Sequence, residues 1–433
     1  MEAASKISRR NWALIWILGI AGQLCWSVEG SWFNNFVYAK IAPDPSIVAW
    51  MVAISATTTT IATFLVGTWG DRIGRRRPFI AGGYILWGLF TILYGTAEFL
   101  PKSSLISAAV FVVAADGLMS FFGSAGFHAG FNPWTTDISN VHNRGKVGGA
   151  MAAAPVIASV LAATVSGIII DAVDFFAFFT IIGALVMLIG IFGLFFLRDA
   201  PTLAPKRDEK GYWHQFVSVF RMDTVLKNKE LFWLYIFIVL YNIAFNVYFP
   251  YISIYLVNYA ELSYSLAGVV QGAGLLLAVL FTIPASRRID KGQAFPVLVS
   301  SVAVNVVGLM VVAAAGKASL PLLCAGIFGA GLGYVLNTQT LSAWVKNLLP
   351  EGSFGQFEGI RLLFAVCIPM IVGPAIATAV INGLGVPVVS GGTAGMAPSP
   401  ALFWISAALM LLVMLPLIPV RRHYGKRKLP LAQ

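Results

Sequence analysis

The stretch Gly67-Thr68-Trp69-Gly70-Asp71-Arg72-Ile73-Gly74-Arg75-Arg76-Arg77 decides how the chain is read. Its charges crowd into one short turn, and an uncharged apolar run lies on either side, 47–69 before it and 79–100 after it. A helix needs roughly 20 apolar residues to cross about 30 Å of hydrocarbon, so each flanking run is long enough to span a bilayer. Glycines here permit a tight turn and close helix approach. An aspartate beside a helix N-terminus is favoured by the helix dipole.

Working outward, the same alternation of apolar run and short polar break continues to both ends. The remaining runs are 12–37, 105–130, 148–170, 174–197, 231–256, 265–286, 294–315, 320–343, 357–381 and 399–420, which makes twelve. With 58% of 433 residues hydrophobic and only 11% charged, the composition exceeds what a soluble core uses. The first run, preceded by charges, is too long for a signal peptide and has no small-residue cleavage site where one would be expected, so it is expected to remain as a span. An all-α membrane protein follows.

The net charge of +11 would point to nucleic acid in a soluble protein, but its distribution excludes that partner. With the N-terminus in the cytoplasm, every lysine and arginine except Lys40, Lys102 and Lys317 falls on the cytoplasmic side, as the positive-inside rule requires. Both termini are then cytoplasmic, in a multi-pass protein of the cell membrane. Cys25, Cys324 and Cys367 fall inside runs without metal or redox spacing, so neither metal nor cofactor is expected.

Residues 198–230 form the longest cytoplasmic break and divide the chain into 1–197 and 231–433, two halves of six runs. Inside it, Trp213, Phe216, Val217, Phe220 and Leu226 recur at near-helical spacing beside basic residues, the pattern of an amphipathic helix on the membrane surface. The halves repeat faintly: at an offset of 210, Gly123 matches Gly333, Trp134 matches Trp344 and Gly145 matches Gly355. That is the parallel-repeat plan, in which a solute binds near the midplane between the halves.

Gly67 to Arg77 resembles the signature loop of the major facilitator superfamily, GxxxDRxGRR[RK], at the position that superfamily uses. The resemblance implies alternating access by two pseudo-symmetric six-helix bundles. It also implies a cytoplasmic latch of Gly67, Asp71, Arg72, Gly74, Arg75 and Arg76 that meets the start of the eleventh span. There Asp71 would face the N-terminus of Phe357-Glu358-Gly359-Ile360-Arg361, one of the arginines would face Glu358, and Arg77 would serve as a topology anchor. Ser286 to Gly292 is a degenerate second copy with Arg287 opposite Asp71. Asp137, with Arg144 and Lys146, would complete the charge network. The longer string to Pro78-Phe79-Ile80 is similar to the glycoside-pentoside-hexuronide cation symporters, especially their sucrose-proton branch. Asn132 to Ile138 and Glu358 to Arg361 add to that similarity. It implies cation-driven uptake of a disaccharide or glycoside by a monomer. The second run offers Ser55 and Thr57 to Thr60 where sodium-using members carry acids, so the expected cation is a proton.

An ionisable group in hydrocarbon costs at least about 2.5 kcal/mol, so each one inside a run is a functional hypothesis. Asp116, about 16 Å along its helix and near the midplane, is the expected proton site. Glu29, placed in the outer part of the first run, is a second candidate for coupling or for sugar hydroxyls. A carboxyl in apolar surroundings favours its neutral form, which suits uptake and release of a proton as helices rock. For the sugar, planar hydrogen-bonding groups and an aromatic face are supplied by Gln23, Trp26, Tyr235, Asn242, Asn246, Gln271 and Asn337. His128 is rotated about 120° from Asp116 and is not expected to relay its proton. Trp12, Trp50 and Tyr255 read as interfacial anchors.

Two other readings compete. A drug or metabolite antiporter would carry glycines in the fifth run where Ala152 to Ala154 precede Pro155. A non-transporting assembly or sensor protein would have no use for Asp116 and Glu29. An enzyme is not expected, since the chain lacks a phosphate loop, a nucleophile elbow and a metal-ligand cluster.

Overall fold

Ser8 opens the first helix: its backbone is extended, and its Oγ accepts from the Asn11 N–H at 3.2 Å, satisfying a donor with no partner inside the helix. From there the computed structural model, which describes residues 7–101, 104–140, 142–201, 203–205, 229–348, 361–390 and 392–424, passes through twelve apolar helices among those residues. They are α1 (Arg9–Ile41), α2 (Pro45–Ile73), α3 (Arg77–Phe99), α4 (Leu105–Asp137), α5 (Arg144–Val173), α6 (Phe175–Phe196), α7 (Lys229–Tyr259), α8 (Tyr264–Asp290), α9 (Ala294–Ala315), α10 (Leu320–Val345), α11 (Leu363–Leu384) and α12 (Pro400–Arg421). The expected surface helix around Trp213 to Leu226, together with Lys102, Gly355 and Glu358, lies outside the described residues.

Prolines account for most of the irregular turns. A proline ring clashes with the carbonyl four residues back and supplies no N–H, so the helix must widen, tighten or break. Wide π turns at Phe127–Phe131 and Leu363–Cys367 precede Pro133 and Pro369. Pro250 sits in a 3₁₀ turn of α7, and α8 and α12 are interrupted just before Pro284 and Pro416. α4 therefore continues through Pro133 to Asp137, further than its apolar run indicated.

Two compact units result, Met1–Ala42 with Trp50–Ser218 and Pro43–Ala49 with Val219–Gln433, so α2 begins in the second unit and continues in the first. Within the first, α3 packs on α6 and α4, and α1 on α5; within the second, α9 packs on α12 and α10, and α7 on α11. Every one of these pairings recurs six helices later, which is the internal repeat expressed as packing. Gly123 and Gly333, matched in sequence, occupy equivalent places. A Cβ on Gly123 would come within 2.7 Å of Trp87 on α3, and one on Gly333 within 2.5 Å of Asn305 on α9. Where α3 meets α6, a Cβ on Gly88 would lie 2.2 Å from the Gly183 carbonyl. Small residues let these backbones approach, the main source of packing energy in lipid.

Trp134 and Trp344 are the clearest repeat pair. Each indole is fully buried and donates its N–H at 2.9 Å: Trp134 to the Arg198 carbonyl just past α6, and Trp344 to Glu230 Oε1 at the start of α7.

One element departs from helix. Val386–Ser390 (β1) pairs antiparallel with Thr393–Ala397 (β2), Val386 opposite Ala397, with Gly392 at φ +87° in the turn. Alternating Val-Pro-Val-Val, a glycine turn and a run too short to span favour a hairpin there. Its Met396 N–H donates to the Pro43 carbonyl at 3.0 Å, inside the second unit.

Two of the lysines that break the positive-inside pattern are neutralised. Lys40 pairs with Asp174 at 2.5 Å and Glu98 at 3.4 Å, and Lys317 pairs with Glu261. Partial burial works against the Asp174 carboxylate, but the Lys40 hydrogen bond and charge outweigh it and hold the carboxyl below its ordinary range. Glu261 is likewise lowered by its hydrogen bond to Lys317.

Candidate functional site

α1 leaves α geometry at Glu29, where a π turn runs to Phe33. Such a turn loosens the helix's own hydrogen-bond ladder, and side chains take up its carbonyls. Ser31 Oγ donates to Ser27 O at 2.7 Å, Asn34 Nδ2 to Gly30 O at 3.2 Å, and Tyr94 OH, from α3, to Phe33 O at 3.0 Å. Trp32 Nε1 ties the same segment to Ala162 O of α5 at 2.7 Å. The π turn is thus fixed from several sides, and Glu29 is fixed with it.

Glu29 points inward and is only 9% exposed, deeper than its position near the outer end of the run suggested. Its Oε1 accepts from Ser55 Oγ of α2 at 2.5 Å and Ser120 Oγ of α4 at 2.9 Å, and the two hydroxyls lie 2.8 Å apart. Asp116 is one turn from Ser120 on the same face of α4, 1% exposed, and interacts electrostatically with Glu29. Glu29 Oε2 and Asp116 Oδ1 are buried without a hydrogen-bond partner, and neither acid forms an ion pair among the described residues. Two acids chosen separately from the sequence therefore share one buried pocket of α1, α2 and α4. Of Ser55 and Ser120, which complete it, the sequence singled out Ser55 only as a polar residue of the second run, and Ser120 carried just its spacing of four residues from Asp116.

The proposed substrate residues fall into two groups. In the first unit, Gln23 and Trp26 are half-buried on α1. Trp26 lies against Trp87 (ring centroids 4.9 Å) and stacks on His128 (5.5 Å), so its faces are shared with two residues the sequence did not connect to it. In the second unit, Asn242 and Asn246 on α7 donate to Ile238 O and Asn242 O, each at 2.8 Å, and Gln271 on α8 to Ala267 O at 3.0 Å. Each of these three amides retains an acceptor oxygen. Tyr235 is buried against Phe364, and Asn337 is fully buried with Nδ2 3.4 Å from Ser301 Oγ of α9. Those two side chains join helices to each other.

The charged loop assembles around Arg76, which is 5% exposed. Its guanidinium pairs with Asp71 and, through Nε, with Asp137 Oδ2 at 3.1 Å. Asp137 thus meets Arg76. The expected partners Arg144 and Lys146 stand exposed on the first turn of α5 and form no ion pair among the described residues. Arg75 is exposed and Arg72 half-buried; Arg361 is exposed at the start of α11. Gly67 sits one turn above Asp71. Gly74 takes φ +62° as the residue closing α2, and a Cβ there would lie 2.8 Å from Pro205 N, so glycine is required twice over. Asp199 was not foreseen. Its Oδ1 accepts from the N–H groups of Arg76 and Arg77 at 2.7 and 2.9 Å, capping α3 from across the unit. Arg77 also donates to the Leu194 carbonyl, a role beyond anchoring.

The family model described as Major Facilitator Superfamily matches this chain over residues 15–374 and again over 240–433. Among curated proteins none matches it in sequence. Among the solved structures that resemble it are two of a nucleoside transporter. A mutant of the nucleoside transporter NupG is 12% identical with a TM-score of 0.72, covering 94% of this chain and 99% of that one. The second, nucleoside transporter NupG, is 11% identical with a TM-score of 0.69, covering 96% and 100%. At that identity the likeness is one of fold. Twelve spans in repeated packing, a charged loop built around Arg76 and the family match agree: this chain belongs to the major facilitator superfamily of membrane transporters.

Proposed function

We propose that the protein is a secondary active carrier in the cell membrane that takes up a sugar, a disaccharide or glycoside, together with a proton. The observation that carries this reading is the Glu29–Ser55–Ser120–Asp116 pocket. A carboxylate in hydrocarbon with hydroxyls but no counter-charge is expensive to keep ionised. Taking a proton removes that charge for the crossing, and giving it up on the other side restores it, which links proton movement to helix movement. No nucleotide-binding motif supplies another energy source.

The similarity of the Asp71 to Ile80 string to the sucrose-proton branch supports the sugar, as do the amide oxygens of Asn242, Asn246 and Gln271 and the ring of Trp26. The acids belong to the first unit and the amide stripe to the second, which supports proton binding by 1–197 and most sugar contacts by 231–433, with 198–230 as the cytoplasmic connection. The charge distribution supports cytoplasmic termini, and the Asp71–Arg76–Asp137 cluster supports a cytoplasmic gate, in a protein proposed to act as a monomer. A second reading comes from the fold relatives, whose names specify nucleosides. A nucleoside is itself a glycoside with a planar base, and the same amides and aromatic faces suit it.

The deciding test adds disaccharides, glycosides, monosaccharides and nucleosides one at a time to expressing cells in weak buffer and follows external pH. Alkalinisation with one compound, abolished in Asp116→Asn at equal expression, is expected. Silence across the panel would end the symport reading and favour an efflux antiporter.

A further inference from the structure

We propose that the proton travels between the Glu29–Asp116 pair and the end of the first unit that carries Arg76 along a row of hydroxyls buried between α2 and α4. This rests on the proton-coupled reading above and adds a route to it. On α4, Asp116, Ser120 and Ser124 follow at four-residue intervals; on α2, Ser55, Thr59 and Thr63 do the same. That spacing places each set on one face of its helix.

The two faces touch rung by rung. Ser120 meets Ser55 at 2.8 Å, Ser124 Oγ donates to the Thr59 carbonyl at 2.9 Å, and Ser124 lies 2.7 Å from Thr63 Oγ1. Helical hydroxyls ordinarily bond the carbonyl one turn back; Thr57, Thr58 and Thr60 do so, and within the row Thr63 does as well, to Thr59 O at 2.8 Å. Ser120 and Ser124 instead reach across to the neighbouring helix. Three buried polar atoms left without a partner among the described residues lie along this seam: Glu29 Oε2, Asp116 Oδ1 and Thr59 Oγ1. Such atoms are costly unless water or a moving proton meets them. One face of the seam is closed by the apolar set Val66, Ala125 and Ala129. One turn past Thr63, Gly67 leaves the path clear, since a Cβ there would meet only Ala129, at 3.9 Å.

Within a rung the oxygens are in direct reach, but successive rungs are about 6 Å apart, so the route requires a water to enter between rungs as the helices move. A hydroxyl oxygen accepts the incoming proton as it passes its own hydrogen to the next oxygen. At the end the acid is a carboxylate and the last water a hydronium, so charge and atoms balance.

The test uses the full-length protein in lipid vesicles and needs no substrate. After a rapid pH rise, the infrared band of protonated carboxyl groups is followed as it disappears, with Glu29→Gln and Asp116→Asn assigning it. Thr63→Val and Ser124→Ala should slow the decay at least about tenfold while leaving its final amplitude unchanged. Thr63→Ser should restore the rate, and Thr57→Val, which removes a hydroxyl off the row, should not change it. Wild-type rates in both Thr63→Val and Ser124→Ala would overturn the route while leaving proton coupling standing. A wild-type protein with no such band at any pH would overturn both.

Discussion

Asp174 shows how much one side chain is asked to do at the edge of the membrane. It adopts φ +75° with ψ 170°, a region essentially reserved for glycine, and caps α6 through Phe175 N–H while holding Lys40. Its carboxyl is lowered, so its stabilising charge is fully present above the ordinary aspartate value and is lost as pH falls through the lowered one. Asp174→Asn keeps the cap and removes the charge. In a pair this exposed it should cost under about 1 kcal/mol at pH 7, and melting curves of mutant and wild type should converge in strong acid. At this scale the sequence was partly legible. Asp116 and Glu29 announce themselves because charge is rare in a span, but their meeting depends on how α1 and α4 are rotated about their axes, and the π turn at Glu29 sets that rotation. No spacing rule encodes a π turn in advance. Asp199 was hidden for another reason: it looks like one more charge in a polar break, and only the fold brings it to α3.

Elements were legible where length decides and less so where a single proline does. The spans follow from apolar runs, and their breaks follow from Pro133, Pro250, Pro284, Pro369 and Pro416 once the helices are seen to continue through those positions or to stop short of them. The β1–β2 hairpin escaped notice because its residues are too few to span and sit between two longer apolar runs. α3 supplies an element-scale prediction. Asp199 satisfies two of the N–H groups its first turn leaves over, so Asp199→Ala should cost about 1 kcal/mol. Hydrogen exchange should speed up at Arg76 and Arg77 and not at the far end of α3. Equal protection in mutant and wild type would show that water replaces the cap without loss.

For the whole molecule, the family was legible in Gly67 to Arg77, and the repeat in three matched residues, two of which the structure places in equivalent packing. The third, Gly355, and the acid proposed to face the loop, Glu358, fall outside the described residues. The two repeat-related tryptophans have a mechanical consequence. Trp134 fastens the chain where it leaves the first unit, and Trp344 fastens it where the second begins. Each tie closes its own half without using the residues between them, so the halves should not depend on an unbroken chain. Two fragments co-expressed after a cut within residues 206–228 should each fold and together recover transport, whereas adding Trp344→Ala to the second fragment should impair recovery more than the same change does in the intact chain. The halves would then be two products of one duplicated design, each with its own fastening.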